Sequence, residues 1–96
     1  MKEINVEELR KWQKEGREFL LVDVREEWEH SHSNIGGMLL PLGELMHRKE
    51  EIPQNIPVVL YCEKGIRSVI ASQRLEPIGF QNLYNLKGGM KAWRKD

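Results

Sequence analysis

Cysteine is almost missing from this chain of 96 residues: Cys62 is the one thiol it holds. A lone cysteine closes no internal disulfide and lacks the neighbours of a thiolate metal site, so a reducing compartment and a cytoplasmic location are expected. His30 and His32, two apart in a polar segment, would diverge on a helix and read as surface side chains, with no metal expected there. No apolar run approaches the length of a membrane span, and Met1-Lys2-Glu3-Ile4-Asn5 lacks the apolar core of a secretory signal, so neither a membrane nor export is expected. An excess of one charge is missing too. Fifteen basic side chains balance fifteen acidic ones, which leaves no long-range field towards nucleic acid or an anionic membrane. Trp12, Trp28 and Trp93 come without a basic stripe and read as core or cap residues rather than a platform for bases. Any preference for an anion must be local.

What is present is a regular alternation of apolar runs and helical patterns. Lys2 to Ile4 reads as a short edge strand. Asn5 with Glu8 three positions on is a capping box, and Val6, Leu9 and Trp12 recur at helical spacing until Gly16 stops the helix. Phe19 to Val24 is an apolar run rich in branched residues, the pattern of a strand covered on both faces. Arg25 to His30 reads as a short acidic helix, Ser31 to Gly37 as a turn-rich link, and Met38 to Leu42 as a short strand with an irregular end at Pro41. Gly43 to Ile52 is helical in tone. Val58 to Tyr61 is the next strand, and Ile66, Val69, Ile70 and Gln73, with Ala71, Leu75 and Ile78 beside them, give a helix apolar over a wide face. That helix is expected to be the most buried, ending at Pro77 and Gly79. Asn82 to Leu86 gives a last strand, Gly88-Gly89 a tight turn, and Met90 to Trp93 a terminal helical segment. Strands separated by helices in so short a chain indicate one small α/β domain over residues 1–96 with a mostly parallel sheet, and right-handed crossovers put helices on both faces.

In such sheets ligands sit outside the carboxyl ends of the strands, and Cys62 lies at one of these ends. The segment Val58-Val59-Leu60-Tyr61-Cys62-Glu63-Lys64-Gly65-Ile66-Arg67-Ser68 carries a buried strand into a polar loop and then a helix. Free cysteine is among the most buried residue types, so Cys62 is either packing or chemistry. The chemical reading has a physical basis: a helix N-terminus and nearby cations stabilise the thiolate, the nucleophilic form. Lys64 and Arg67 supply charge, Gly65 lets the backbone curl with its N–H groups inward, Ser68 offers a hydroxyl, and Glu63 is expected to turn its carboxylate to solvent. An anion cradle holding a thiolate suits phosphoryl transfer through a phosphocysteine or sulfur transfer through a persulfide. The loop partly resembles that of cysteine-based phosphatases, in which five residues separate cysteine and arginine. Here four do, Glu63 to Ile66, and the smaller ring suits a single sulfur atom better.

Four segments in order also resemble the rhodanese family. They are Leu21-Val22-Asp23-Val24-Arg25-Glu26-Glu27-Trp28-Glu29; Ile35-Gly36-Gly37-Met38 with Leu40-Pro41-Leu42; Cys62-Glu63-Lys64-Gly65-Ile66-Arg67-Ser68; and Leu86-Lys87-Gly88-Gly89-Met90-Lys91-Ala92-Trp93. The resemblance implies a parallel sheet of five strands flanked by helices. It also implies a thiosulfate:cyanide type sulfurtransferase in which the Cys62 thiolate takes a sulfane sulfur from thiosulfate or a related donor. The persulfide is held by the loop from Glu63 to Ser68 and passes its outer sulfur to cyanide, a thiol or a protein acceptor. No cofactor is implied. Asp23 and Arg25 match the family's paired charges, which brace the sheet end beside the loop. Ser33-Asn34-Ile35 stands where the family usually carries Gly-His-Ile, so altered packing is expected there. With no second cysteine, the acceptor must come from outside the chain.

Overall fold

A computed structural model describes residues 1–96 as β1 (Lys2–Ile4), α1 (Val6–Lys14), β2 (Leu20–Asp23), α2 (Glu27–His32), β3 (Met38–Leu39), β4 (Val58–Tyr61), α3 (Ile66–Leu75), β5 (Leu83–Leu86) and α4 (Gly89–Lys95). The five strands form one sheet in the order β1-β5-β4-β2-β3, and every pairing is parallel. β4 lies at the centre, so its carboxyl end, where Cys62 follows, opens onto the middle of the sheet edge.

Side-chain alternation sorts the core into two layers. Val58, Leu60 and Cys62 join Val22, Val24 and Leu83 on the face covered by Ala71 and Leu75 of α3 and by Leu45 and Ile52. Val59 and Tyr61 join Leu21 and Leu86 on the other face, beneath Val6, Leu9 and Trp12 of α1 and Met90 of α4. Helices therefore cover both faces, as the alternation of elements requires. The α1 capping box forms as the sequence indicates: Glu8 N–H donates to Asn5 Oδ1 at 2.8 Å and Asn5 N–H to Glu8 Oε1 at 3.1 Å. No helix is long and apolar enough to cross a membrane.

Three expectations are corrected. Gly43 to Ile52 is not an α-helix; it holds two 3₁₀ turns, Leu42–Glu44 and Lys49–Glu51. This segment must return the chain from the carboxyl end of β3 to the start of β4. A 3₁₀ turn rises about 2.0 Å per residue against 1.5 Å for an α-helix, which gives it more reach. In α3 the buried stripe is Ser68, Ala71, Ser72 and Leu75, so Ala71 and Leu75 face inward as read, while Val69 and Ile70 are half-buried and Ile66 is 65% exposed. Small inward residues let the helix lie close to the sheet. Trp28, read as a core or cap residue, is 73% exposed, because α2 buries no residue and is held by polar contacts at the sheet's end.

Candidate active site

Cys62 sits one residue beyond β4 and is 1% exposed. Its Sγ accepts N–H groups from Gly65 at 3.1 Å and Ser68 at 3.4 Å, with Ser68 Oγ also 3.4 Å away. These are the donors of a loop curling into a helix start, where amides lack intrahelical acceptors and the positive end of the dipole lies. The curl depends on Gly65, whose φ is +93°. A Cβ there would lie 3.2 Å from Gly88 N.

The back of the loop is held by α4. Met90 N–H donates to Cys62 O and Lys91 N–H to Glu63 O, both at 2.9 Å. Because trans peptide planes set C=O and the following N–H in opposite directions, these bonds turn the amides of Glu63 and Lys64 away from α4. Gly89 makes the approach possible, since a Cβ at that position would stand 2.8 Å from Glu63 O and nearer still to Cys62 O.

The charges are paired otherwise than the sequence indicates. Arg67 makes a two-pronged ion pair with Glu29 of α2, Nη1 to Oε1 at 2.7 Å and Nη2 to Oε2 at 2.8 Å. The Arg67 hydrogen bonds hold the Glu29 carboxyl down at about 2, and the same partner raises the Arg67 pKa. Glu63 does not turn to solvent: its carboxylate faces Arg25 Nη1 at 3.6 Å and pairs with Arg94 of α4. Lys64 is exposed at the rim. The resulting cavity, about 330 Å³, is lined by Glu29, Cys62, Glu63, Lys64, Ile66 and Arg67.

Asp23 and Arg25 form a buried pair beside this cavity, 0% and 1% exposed. Arg25 Nε and Nη2 donate to the Asp23 carboxylate at 2.8 to 3.1 Å, and Nη2 also reaches Ser33 O at 2.6 Å. Burial works against the Arg25 charge, and the hydrogen bonds and charge of Asp23 outweigh it, so its pKa is raised. His30, read as a surface side chain, points its Nδ1 at Asp23 Oδ2, 2.8 Å away. Asn34 accepts from Gly36 N–H and donates to His30 O, closing the α2–β3 link where the family pattern differs.

A sheet-end cysteine cradled by a short loop is compatible with more than one family, and comparison with known proteins decides it. The family model for the rhodanese-like domain matches residues 5–96. This chain belongs to the rhodanese-like domain family. The thiosulfate sulfurtransferase GlpE of Coxiella burnetii is 32% identical over 79 residues, covering 81% of this chain and 74% of that protein. The uncharacterized protein YqhL of Bacillus subtilis is 42% identical over 95 residues, covering 97% of this chain and 72% of that one. Among solved structures, a rhodanese-like domain protein from Staphylococcus aureus superposes with a TM-score of 0.90 at 29% identity, over 97% of this chain and 91% of the other. Sulfur transfer is the general activity that the family and the GlpE relative support.

In this rhodanese-like domain, Cys62, Glu63, Lys64, Ile66 and Arg67 line one cavity, with Gly65 and Ser68 bonded to the sulfur behind it. Asp23 and Arg25 stand beside it without lining it. Three residues that sequence reasoning missed complete the arrangement. Glu29 pairs Arg67 across 38 positions, a distance at which no local pattern links them. Arg94 reaches Glu63 from the far end of the chain. Asn85, 2% exposed, accepts the Ser68 hydroxyl, and it did leave a signal: it shares the inward parity of Leu83 in β5, where a polar side chain needs a partner.

Proposed function

We propose that this chain is a sulfurtransferase in which Cys62 is the nucleophile and the persulfide carrier. The observation that carries the reading is the set of donors converging on Cys62 Sγ, two backbone N–H groups at the start of α3 beside an open cavity. Such donors favour a sulfur anion, first the thiolate and then the persulfide. The thiolate attacks the outer sulfur of thiosulfate or a related sulfane donor. A sulfur–sulfur bond forms at Cys62 while the donor's own breaks, and sulfite leaves with the electron pair. The outer sulfur then passes to cyanide or to a thiol, and the Cys62 thiolate returns. Glu63 to Ser68 form the binding loop, and Asp23 and Arg25 stiffen the sheet end beneath it. No cofactor enters the cycle, a reducing cytoplasm keeps the thiol free, and residues 1–96 act as one unit.

Thiosulfate-to-cyanide transfer by wild type and by Cys62→Ser tests this. Thiocyanate formation falls to the buffer background in the variant; equal rates in the two proteins would overturn the assignment. A second reading, a persulfide relay with little turnover of small donors, is favoured by the single cysteine and by exposed Trp28 and Ile66 near the cavity, which suit a protein acceptor. If only a partner's persulfide, and not thiosulfate, charges Cys62, the relay is the activity.

A further inference from the structure

The wall of the Cys62 cavity carries two carboxylates, Glu29 and Glu63, against two cations, Lys64 and Arg67. Its formal charge is therefore zero, and its guanidinium is already engaged at both Nη atoms. Glu29 is also fixed from behind, because Glu26 N–H donates to its Oε1 at 3.1 Å, and its side chain is only 12% exposed. An incoming dianion meets a guanidinium whose charge Glu29 already balances, and Glu63, itself paired with Arg94, adds no free anchor. An organic donor meets something better suited to it. Ile66, at 65% exposed, offers apolar surface at the mouth, and Trp28, at 73%, lines a second cavity of about 180 Å³ that shares Glu29 and Glu63 with the first.

We infer that Glu29 is a specificity-determining residue: by occupying Arg67 it disfavours small dianionic donors such as thiosulfate and favours organic persulfides, whose carbon portion rests on Trp28 and Ile66. This rests on the persulfide reading of Cys62. With an organic persulfide the thiolate of Cys62 attacks the outer sulfur, the donor's sulfur–sulfur bond breaks, and the organic thiolate departs with the electron pair. At the reacting sulfurs one negative charge arrives with the donor and one leaves. The leaving group at the sulfur is then a monoanionic thiolate rather than dianionic sulfite.

The experiment measures kcat and KM for loading sulfur onto Cys62, with thiosulfate and with glutathione persulfide as donors, in wild type and Glu29→Gln. Wild type prefers glutathione persulfide by at least about tenfold in kcat/KM, the scale of one lost charge-assisted hydrogen bond. In Glu29→Gln the thiosulfate-to-persulfide ratio of kcat/KM rises by about tenfold. The change lies in a lower KM for thiosulfate, a shift that mere loosening of α2 would not produce. Glu29→Ala, which takes away every acceptor from Arg67 at this position, moves the ratio the same way. An unchanged ratio in both variants overturns the inference, as does a wild type that loads from thiosulfate at least as well as from the persulfide. If neither donor charges Cys62 in wild type, the persulfide reading itself fails and takes this inference with it.

Discussion

Replacing Gly89 by alanine places a methyl group where two carbonyl oxygens already stand. The added Cβ would lie 2.8 Å from Glu63 O and closer to Cys62 O, contacts that neither backbone can yield without separating the loop from α4. The site is also left-handed, with φ at +55°, and an alanine there costs roughly 1–2 kcal/mol. Once α4 backs away, the bonds from Met90 N–H to Cys62 O and Lys91 N–H to Glu63 O are lost, each worth about 1 kcal/mol net. The expected destabilisation is about 3–4 kcal/mol, a large share of the roughly 5–15 kcal/mol that holds a domain together. Thermal unfolding followed by circular dichroism reads this directly. At about 4–8 °C per kcal/mol for a domain of this size, Tm falls by at least about 12 °C. Sulfur loading at Cys62 slows as well, because the loop amides lose their orientation. Gly43→Ala is the control: its φ is not left-handed, a Cβ there meets nothing within 4 Å, and its effect stays within about 0.5 kcal/mol. A Gly89→Ala protein that melts within about 3 °C of wild type would refute the idea that α4 clamps the loop.

Three further outcomes are expected. Asp23→Ala strands the buried Arg25 charge and costs about 3–5 kcal/mol by urea unfolding; a loss below about 1 kcal/mol would show that water or Glu63 replaces the partner. Ser68→Ala removes the hydroxyl between Cys62 Sγ and Asn85 and leaves a buried amide unpaired, a cost of about 1–3 kcal/mol, accompanied by slower sulfur loading; unaltered stability and rate would count against that contact. Glu29 holds its proton more weakly folded, at about 2 against 4.5 unfolded, so its contribution is complete above about pH 4.5 and is lost as pH falls towards 2. The shift sets an upper limit of roughly 3 kcal/mol, reduced to about 1–2 by solvent around the partly exposed Arg67, and Glu29→Gln flattens the stability profile in that window. A variant as acid-sensitive there as wild type would contradict it.

The elements legible in the sequence are those whose signals are local. The Asn5–Glu8 box, the apolar runs of β2 and β4, and the strand–cysteine–glycine–helix junction each carry their cause within a few residues, and the structure forms them. The failures share a different cause. Arg48 pairs with Glu44 and Glu51 at helical spacing, so Gly43 to Ile52 imitates a helix, while the need to span the sheet selects 3₁₀ turns. Ile66 has the apolarity of a core residue but occupies the cavity mouth, where no layer lies above it. Arg67 and Glu63 read as free loop charges because their partners, Glu29 and Arg94, come from distant elements. The cysteine's position at the sheet end was legible; the charge balance around it became visible only in three dimensions.

The central claim is that Cys62 carries the transferred sulfur. Mass spectrometry of the intact protein and of the peptide holding Cys62, after incubation with thiosulfate and separately with glutathione persulfide, tests it most directly. One additional sulfur atom is expected on that peptide, removable by cyanide and absent from Cys62→Ser. A folded protein that gains no sulfur on Cys62 from either donor would contradict it.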